Sequence, residues 1–347
     1  MNRRRLSSIG QLTLWRIREF TREPEALFWV FAFPIMLAFA LGLAFTSRGP
    51  EVVRIAVEQV DGGGQALVTA LNGTERVEAV LLDSAEAEYR LRTGRVALVV
   101  TPGDPIRLRY DSTRTESDVA RLVVGDALQE SAGRRDVVEI RDVKVMEPGA
   151  RYIDFLIPGL IGLNIMGTGM WGIGFGIVKA RNDKLLKRLL ASPMRRSDFM
   201  LSFMLARLFF LGFEVTAVLL FGHLAFDVPV RGSLLAVAAI VVLGAMTFSG
   251  LGLLVASRAR TIEGVSGLMN LVMVPMWILS GVFFAYSHFP EAMQPFVRAL
   301  PLTALNDALR SVVLDGAPLL ASAGLLALLA GWGGVSFAVA LRVFRWR

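Results

Sequence analysis

The sequence contains no cysteine, which excludes disulfides, thiolate metal sites and cysteine nucleophiles together. Its two histidines, His223 and His288, are too few for a histidine-built metal centre, and each reads as an interfacial side chain. No Gly-Lys dipeptide occurs anywhere, so there is no Walker A loop and no ATP site of the chain's own. HExxH and GxSxG are missing as well, and no pair of carboxylates stands on a convincing catalytic scaffold. The chain is therefore expected to hold no catalytic residue, no metal and no cofactor. Charge is also scarce, at 19% of 347 residues, against 54% hydrophobic residues and a mean hydropathy of +0.54. A soluble protein of this length does not need so much apolar content, so an integral membrane protein is expected.

The apolar residues gather into runs. The first run begins near Ala26 and extends to about Phe45; five more cover about Ile153–Val178, Phe199–Phe226, Leu234–Ser257, Val265–Tyr286 and Pro318–Val343. Each is long enough to cross a hydrocarbon core of about 30 Å. The expected fold is an α-helical polytopic membrane protein with six transmembrane helices and one external α/β (α+β) domain inserted between the first and second. Residues 1–24 form an amphipathic N-terminal helix on the inner leaflet, with Ile9, Leu12, Trp15 (or Leu14) and Ile17 on one face. A signal peptide would place a short apolar core directly after Arg3, Arg4 and Arg5, whereas here the core starts later and is longer, so a retained span at 25–46 is expected.

Residues 47–151 change character. Strand-like VVRIAV, VALVVTPG and IRLRYD alternate with helical QALVTAL, SAEAEYRLRTG (capped by Ser84, stopped by Gly94) and Thr115–Ser131, with further strands at Val77–Leu82 and Val137–Val145. That pattern is one mixed domain. DGGG (61–64) reads as a turn, because no lysine or helix-start pattern follows to make it a phosphate loop. The region 152–347 holds the other five spans. Between the last two, the segment 288–316 is mildly apolar and broken by Pro290, Pro295 and Pro301, so one or two short interfacial or re-entrant external helices are expected there.

Charge sets the orientation. Residues 47–151 carry 15 basic and 18 acidic side chains, and the remainder 22 basic and 12 acidic. The positive excess lies in the membrane part, which reads as topology and not as nucleic-acid binding. The N-terminus, the stretch 179–198, Arg258 and Arg260, and Arg342, Arg345 and Arg347 are all basic, while the connection 223–232 is nearly neutral. Both termini are then cytoplasmic and the 47–151 domain external.

The densest basic stretch is KARNDKLLKRLLASPMRRSD (179–198), with seven basic residues against Asp183 and Asp198. Leu185, Leu186, Leu189 and Leu190 share one face of a short helix that Pro193 ends. Charge alone leaves it open whether this is an ordinary positive-inside loop or a docking surface for something in the cytoplasm.

Inside the spans, polar residues are few. Glu214 lies well within the third, where a charge costs on the order of 3 kcal/mol by insertion scales. Arg207, seven residues earlier on the same face, reaches it only with help from neighbours. Glu214, Asn164 and Asn270 are candidates for a substrate path, with helix–helix adhesion as the competing role. Glu263 opens the fifth span and reads as a helix-end charge or a cytoplasmic contact. The second span carries Gly159, Gly162, Gly167, Gly169, Gly172, Gly174 and Gly176, a spacing that favours close helix packing.

With these residues in view, the whole chain resembles a permease subunit of a type-2 ATP-binding-cassette (ABC) exporter. The resemblance is carried most specifically by FLIPGLIGLNIMGTGMWGIGFGIVKARNDKLLKRLLASPMRRSDFMLSFMLAR (155–207), and also by PLTALNDALR (301–310), RIAVEQVDGG and AEAEYRLRTGRVALVVTPGD. It implies that 181–196 is a coupling helix docking into an ABC ATPase subunit through Arg181, Asp183, Lys184, Lys187, Arg188, Leu189, Pro193 and Arg195, with Glu263 nearby. It further implies a second permease copy, a lipid environment in a bacterial inner membrane, and ATP with Mg bound by the partner subunit. Many members carry a glutamate in a sequence resembling TLERL; here Lys187 stands in its place, and Glu263 or Asp183 is left to supply that contact. A non-transporting scaffold or sensor with an external partner-binding domain is the alternative. A secondary transporter fits less well, because proton coupling needs a relay of intramembrane acids and Glu214 stands nearly alone.

Overall fold

The computed structural model describes residues 3–46, 52–60, 64–74, 76–134, 149, 151–182, 196–259 and 261–343. The chain divides into two compact units, Met1–Thr46 with Val145–Arg347, and Ser47–Lys144. In chain order the elements are α1 (Arg3–Thr21), α2 (Pro24–Leu27), a π-helical turn (Phe28–Ala32), α3 (Phe33–Thr46), β1 (Val53–Glu58), α4 (Gly64–Asn72), β2 (Val77–Leu82), α5 (Ser84–Arg92), β3 (Leu98–Thr101), β4 (Arg107–Tyr110) and α6 (Thr115–Ser131). There follow α7 (Tyr152–Asn182), α8 (Arg196–Phe226), α9 (Leu234–Arg258), α10 (Ile262–Leu279), α11 (Gln294–Arg298), α12 (Pro301–Val313) and α13 (Ala323–Val343).

In the smaller unit the strand order is β2-β1-β3-β4. β1 runs parallel to β2 and β3, and β4 is antiparallel to β3. Because side chains alternate along a strand, Ile55 and Val57 of β1 pack with Val68, Leu71, Ala120 and Val124 from α4 and α6. Ala56 points the other way, to Ala87 of α5 and Val99. Both faces of the central strand are covered, as parallel pairing with helical crossovers requires. At its end Glu58 is buried and accepts hydrogen bonds from Ser84 (3.1 Å), Thr101 (2.7 Å) and Arg109. The cap of α5 is Asp83 and not Ser84: its carboxylate accepts from the Glu86 amide at 2.7 Å. Asp83 precedes the first helical residue, where a side-chain acceptor reaches the free amides of the first turn. Gly94, at φ +71°, ends the segment. The strand expected at Val137–Val145 and Asp61–Gly63 lie outside the described residues; Gly64 is the first residue of α4.

Among the described residues of the larger unit, six helical segments are long and apolar enough to cross a membrane: Pro24–Phe45, Tyr152–Lys179, Leu205–Phe226, Leu234–Arg258, Ile262–Leu279 and Leu319–Val343. α7 lies at the centre, packed by α3, α8, α9, α10 and α12. Its glycines mark the closest approaches. A Cβ on Gly169 would meet Phe248 at 3.0 Å, one on Gly174 would meet Met269 and the Gly252 carbonyl, and one on Gly252 would fall 2.7 Å from the Met170 carbonyl. Small residues let the backbones of α7 and α9 touch, which is how helices gain dispersion contact in lipid. On the far side of α9, Thr247 donates to the Leu329 carbonyl at 3.0 Å, joining α13.

One helix end and one helix interior depart from the hydropathy pattern. The fifth apolar run continues to Tyr286, but α10 stops at Leu279, where Gly281 takes φ +67° and a 3₁₀ turn follows at Tyr286–His288. The first span is interrupted by the π turn. Pro34 has no amide hydrogen, so the carbonyl of Val30, four residues earlier, has no α-helical partner; within the turn the Phe33 amide bonds instead to Phe28. α1 buries Ile9 and packs Phe20 on Phe210 of α8 at 4.3 Å between ring centroids, while Leu14 and Trp15 face outward. The apolar residues of this helix are therefore divided between the bundle and its surroundings. Burial lowers the Arg16 guanidinium to about 10, against the pull of Glu19, 3.5 Å away.

Candidate functional site

Among the described residues, three of the bundle's polar clusters bear on the candidate site. The first is at the end where α7 runs out. Arg181 is in its last turn, where burial pushes the guanidinium pKa down, and it donates to the Ala259 carbonyl at 2.6 Å. That bond joins the end of α7 to the connection between α9 and α10. Thr261 caps α10 by accepting from the Gly264 amide at 3.0 Å, and Glu263 stands exposed in the first helical turn. A carboxylate is favoured there by the free amides of the helix start. Lys179 lies 4.0 Å from Glu23, beside the start of the first span. Arg181 and Glu263 thus share one end of the bundle. Asp183, Lys184, Lys187, Arg188, Leu189, Pro193 and Arg195 lie outside the described residues.

The second cluster lies within the bundle, between the first three spans. Arg207 and Glu214 are about 10.5 Å apart along the α8 axis at 1.5 Å per residue, yet their long side chains meet directly, Nη1 to Oε1 at 2.6 Å and Nη2 to Oε2 at 3.1 Å. Neighbouring Thr168 of α7 also accepts from Arg207. Thr168 in turn donates to the Asn164 carbonyl at 2.5 Å, and the Asn164 amide donates to the orphaned Val30 carbonyl at 3.0 Å. A continuous hydrogen-bonded chain so links the first three spans. Glu214 is only 2% exposed, and the crevice it shares with Asn164, Ile161, Ile165, Val215 and Val218 is too narrow for a water molecule. Paired and bonded in this way, a charge can stay inside apolar surroundings. Asn270 is placed differently, exposed on α10.

The third cluster, at the opposite end of the bundle, was not foreseen as a site. α12 is almost wholly buried between α7, α9 and α13. Its Arg310 lies over the Phe155 ring, 3.6 Å from the centroid, and donates to the Phe155 carbonyl (3.2 and 3.3 Å) and to that of Gly281. Asn306, one turn earlier, donates to the Ser280 carbonyl at 3.2 Å. The Ser280 and Gly281 carbonyls lie just past the end of α10, where no further helical amide follows, so the α12 side chains supply donors to a helix end. Gly159 and Gly162 make room: a Cβ on either would strike the Val282 carbonyl at 2.6 Å or the Asn306 Oδ1 at 1.9 Å. The available signal was an arginine standing one turn after an asparagine in PLTALNDALR.

Comparison with known proteins gives a match to the family described as "ABC-2 family transporter protein" over residues 24–342. The probable multidrug ABC transporter permease YbhS of Escherichia coli (strain K12) is 23% identical over 338 residues, covering 89% of each chain. The ABC transporter G family member 20 of Dictyostelium discoideum is 29% identical over 169 residues, 49% of this chain and 23% of that protein. The linearmycin resistance permease protein LnrN of Bacillus subtilis (strain 168) is 27% identical over 177 residues, 51% of this chain and 46% of that one. The chain thus spans less than half the length of the last two relatives.

Proposed function

Because this chain belongs to the ABC-2 transporter family, as a transport permease and not an enzyme, we propose that a separate ABC ATPase drives it to export an amphipathic or lipophilic substrate. The observation that carries this reading is the Arg181–Ala259 bond. It ties the helix that leads into the basic stretch 183–195 to the connection that precedes Glu263, so one docked partner would touch both. In this reading 181–196 is the coupling segment, with Asp183, Lys184, Lys187, Arg188, Leu189, Pro193 and Arg195 toward the ATPase and Arg181, in the last turn of α7, tying it to the Ala259 connection. Glu263 takes the place of the carboxylate that Lys187 displaces. ATP and Mg are held by the partner, and closure of two ATPase subunits moves two permease copies.

In this reading this end of the bundle and both termini are cytoplasmic and the Ser47–Lys144 unit lies outside a bacterial inner membrane, an orientation supported by the excess of basic residues in the short connections. The substrate class is supported by the names of the relatives, one a multidrug and one a linearmycin resistance permease. Among the three polar residues considered for the substrate path, exposed Asn270 is assigned to it. Asn164 and Glu214, enclosed among spans one to three, are assigned to holding those spans together. Reversing Arg188 and Arg195 to glutamate in the full complex is expected to abolish stimulation of the ATPase by the permease. Stimulation unchanged by that double reversal would sink the mechanism.

A further inference from the structure

α12 brings two side chains to one notch. Asn306 and Arg310 are four residues apart and so stand on the same helix face. The notch is lined by Gly159 and Gly162 of α7 and by residues 280–282 beyond α10. Arg310 grips both walls at once, through the Phe155 carbonyl and ring on one side and the Gly281 carbonyl on the other. Its carboxylate neighbour Asp307 is 3.7 Å away. A planar fork reaches acceptors in two directions while lying flat on an aromatic face; an ammonium has three donors but is a compact charge without that flat, fixed geometry. The wall it holds on the α7 side belongs to a helix of 31 residues, about 46 Å long at 1.5 Å per residue. That helix ends at the basic stretch.

We infer that Arg310 is a positioning residue for transport: it makes α12, the outer end of the second span and the end of the fifth span move as one body. A displacement begun where the ATPase docks would then reach the outer mouth through α7 and Arg310. This rests on the permease reading above, and the test separates the two.

The absence of cysteine permits a single reporter. Ser287→Cys, exposed in the turn between α10 and α11, is labelled with bimane in the complex of the full chain with its ABC ATPase. With Arg310 intact, ATP and vanadate are expected to shift the emission. With Arg310→Gln the shift is lost while ATP hydrolysis by the folded complex continues; Arg310→Lys retains part of it. Gly162→Ala, which drives a methyl into Asn306 from the other wall, is expected to lose the shift too. Should Arg310→Gln not fold, Phe155→Leu removes the ring beneath the guanidinium, leaves both carbonyls, and is expected to weaken the shift. A full shift in Arg310→Gln, or in Phe155→Leu where that variant decides, overturns the inference and leaves the permease reading standing. A reporter silent in a parent complex whose ATPase is stimulated by the permease likewise overturns the inference; a parent permease that does not stimulate the ATPase overturns the permease reading itself.

Discussion

Pro34 removes one amide hydrogen from the first span, and Asn164 supplies another from the second. The Asn164–Val30 bond therefore has a definite origin in the sequence, and a double-mutant cycle can expose it. Asn164→Ala leaves the Val30 carbonyl without a donor and is expected to lower stability by about 1–3 kcal/mol. In a Pro34→Ala background, where residue 34 regains its amide, the same change is expected to have a smaller effect. Thermal unfolding of the four variants in detergent measures the difference, and equal effects in both backgrounds would contradict the origin given. At this scale the sequence was legible as a short roster of polar residues in apolar runs: Glu214, Arg207 and Asn164 were all visible there. The Arg207–Glu214 pairing was visible there too, but the helpers from neighbouring helices were not: Thr168 and the Val30 carbonyl come from other spans, and neighbour relations between helices leave no periodic trace.

Helix-scale features divide in the same way. Run length alone marks six spans, since a hydrocarbon core demands it. It misplaces the end of the fifth, because residues 282–286 stay apolar after α10 has stopped; an apolar run does not distinguish helix from buried irregular chain. Gly281, with its left-handed φ of +67°, was the stop signal available. α12 was legible as a short helix, but not as one sunk into the bundle with an arginine at its centre. The glycines of the bundle also fall into two kinds. Gly252→Ala would press a methyl against the Met170 backbone and is expected to destabilise by about 1–3 kcal/mol. Gly331 has nothing within 4 Å of a Cβ position, so Gly331→Ala is expected to be neutral or to stabilise by up to about 1 kcal/mol through helix propensity. Paired melting curves test the contrast.

For the whole molecule, the composition break near residue 47 is the feature read most directly, and the Ser47–Lys144 unit begins there. The orientation proposed from charge has its own measurement. Cysteines placed singly at Glu88 and Glu263, both exposed, are expected to react with a membrane-impermeant maleimide from opposite sides, Glu88 from outside intact cells and Glu263 only after permeabilisation. Labelling of Glu263 from outside would reverse the topology. The π turn at Phe28–Ala32 has a consequence for chain length. Such a turn accommodates one residue beyond the α-helical count, so the first span holds a spare residue at a known place. Removing one residue there lets the helix close to its ordinary repeat while Ala38 and Gly42, which face the bundle at Phe226 and its neighbours, keep their direction. The same deletion a turn later would swing the remaining side chains by about 100°. Related chains can thus differ by one codon at this point and keep the same six-helix packing.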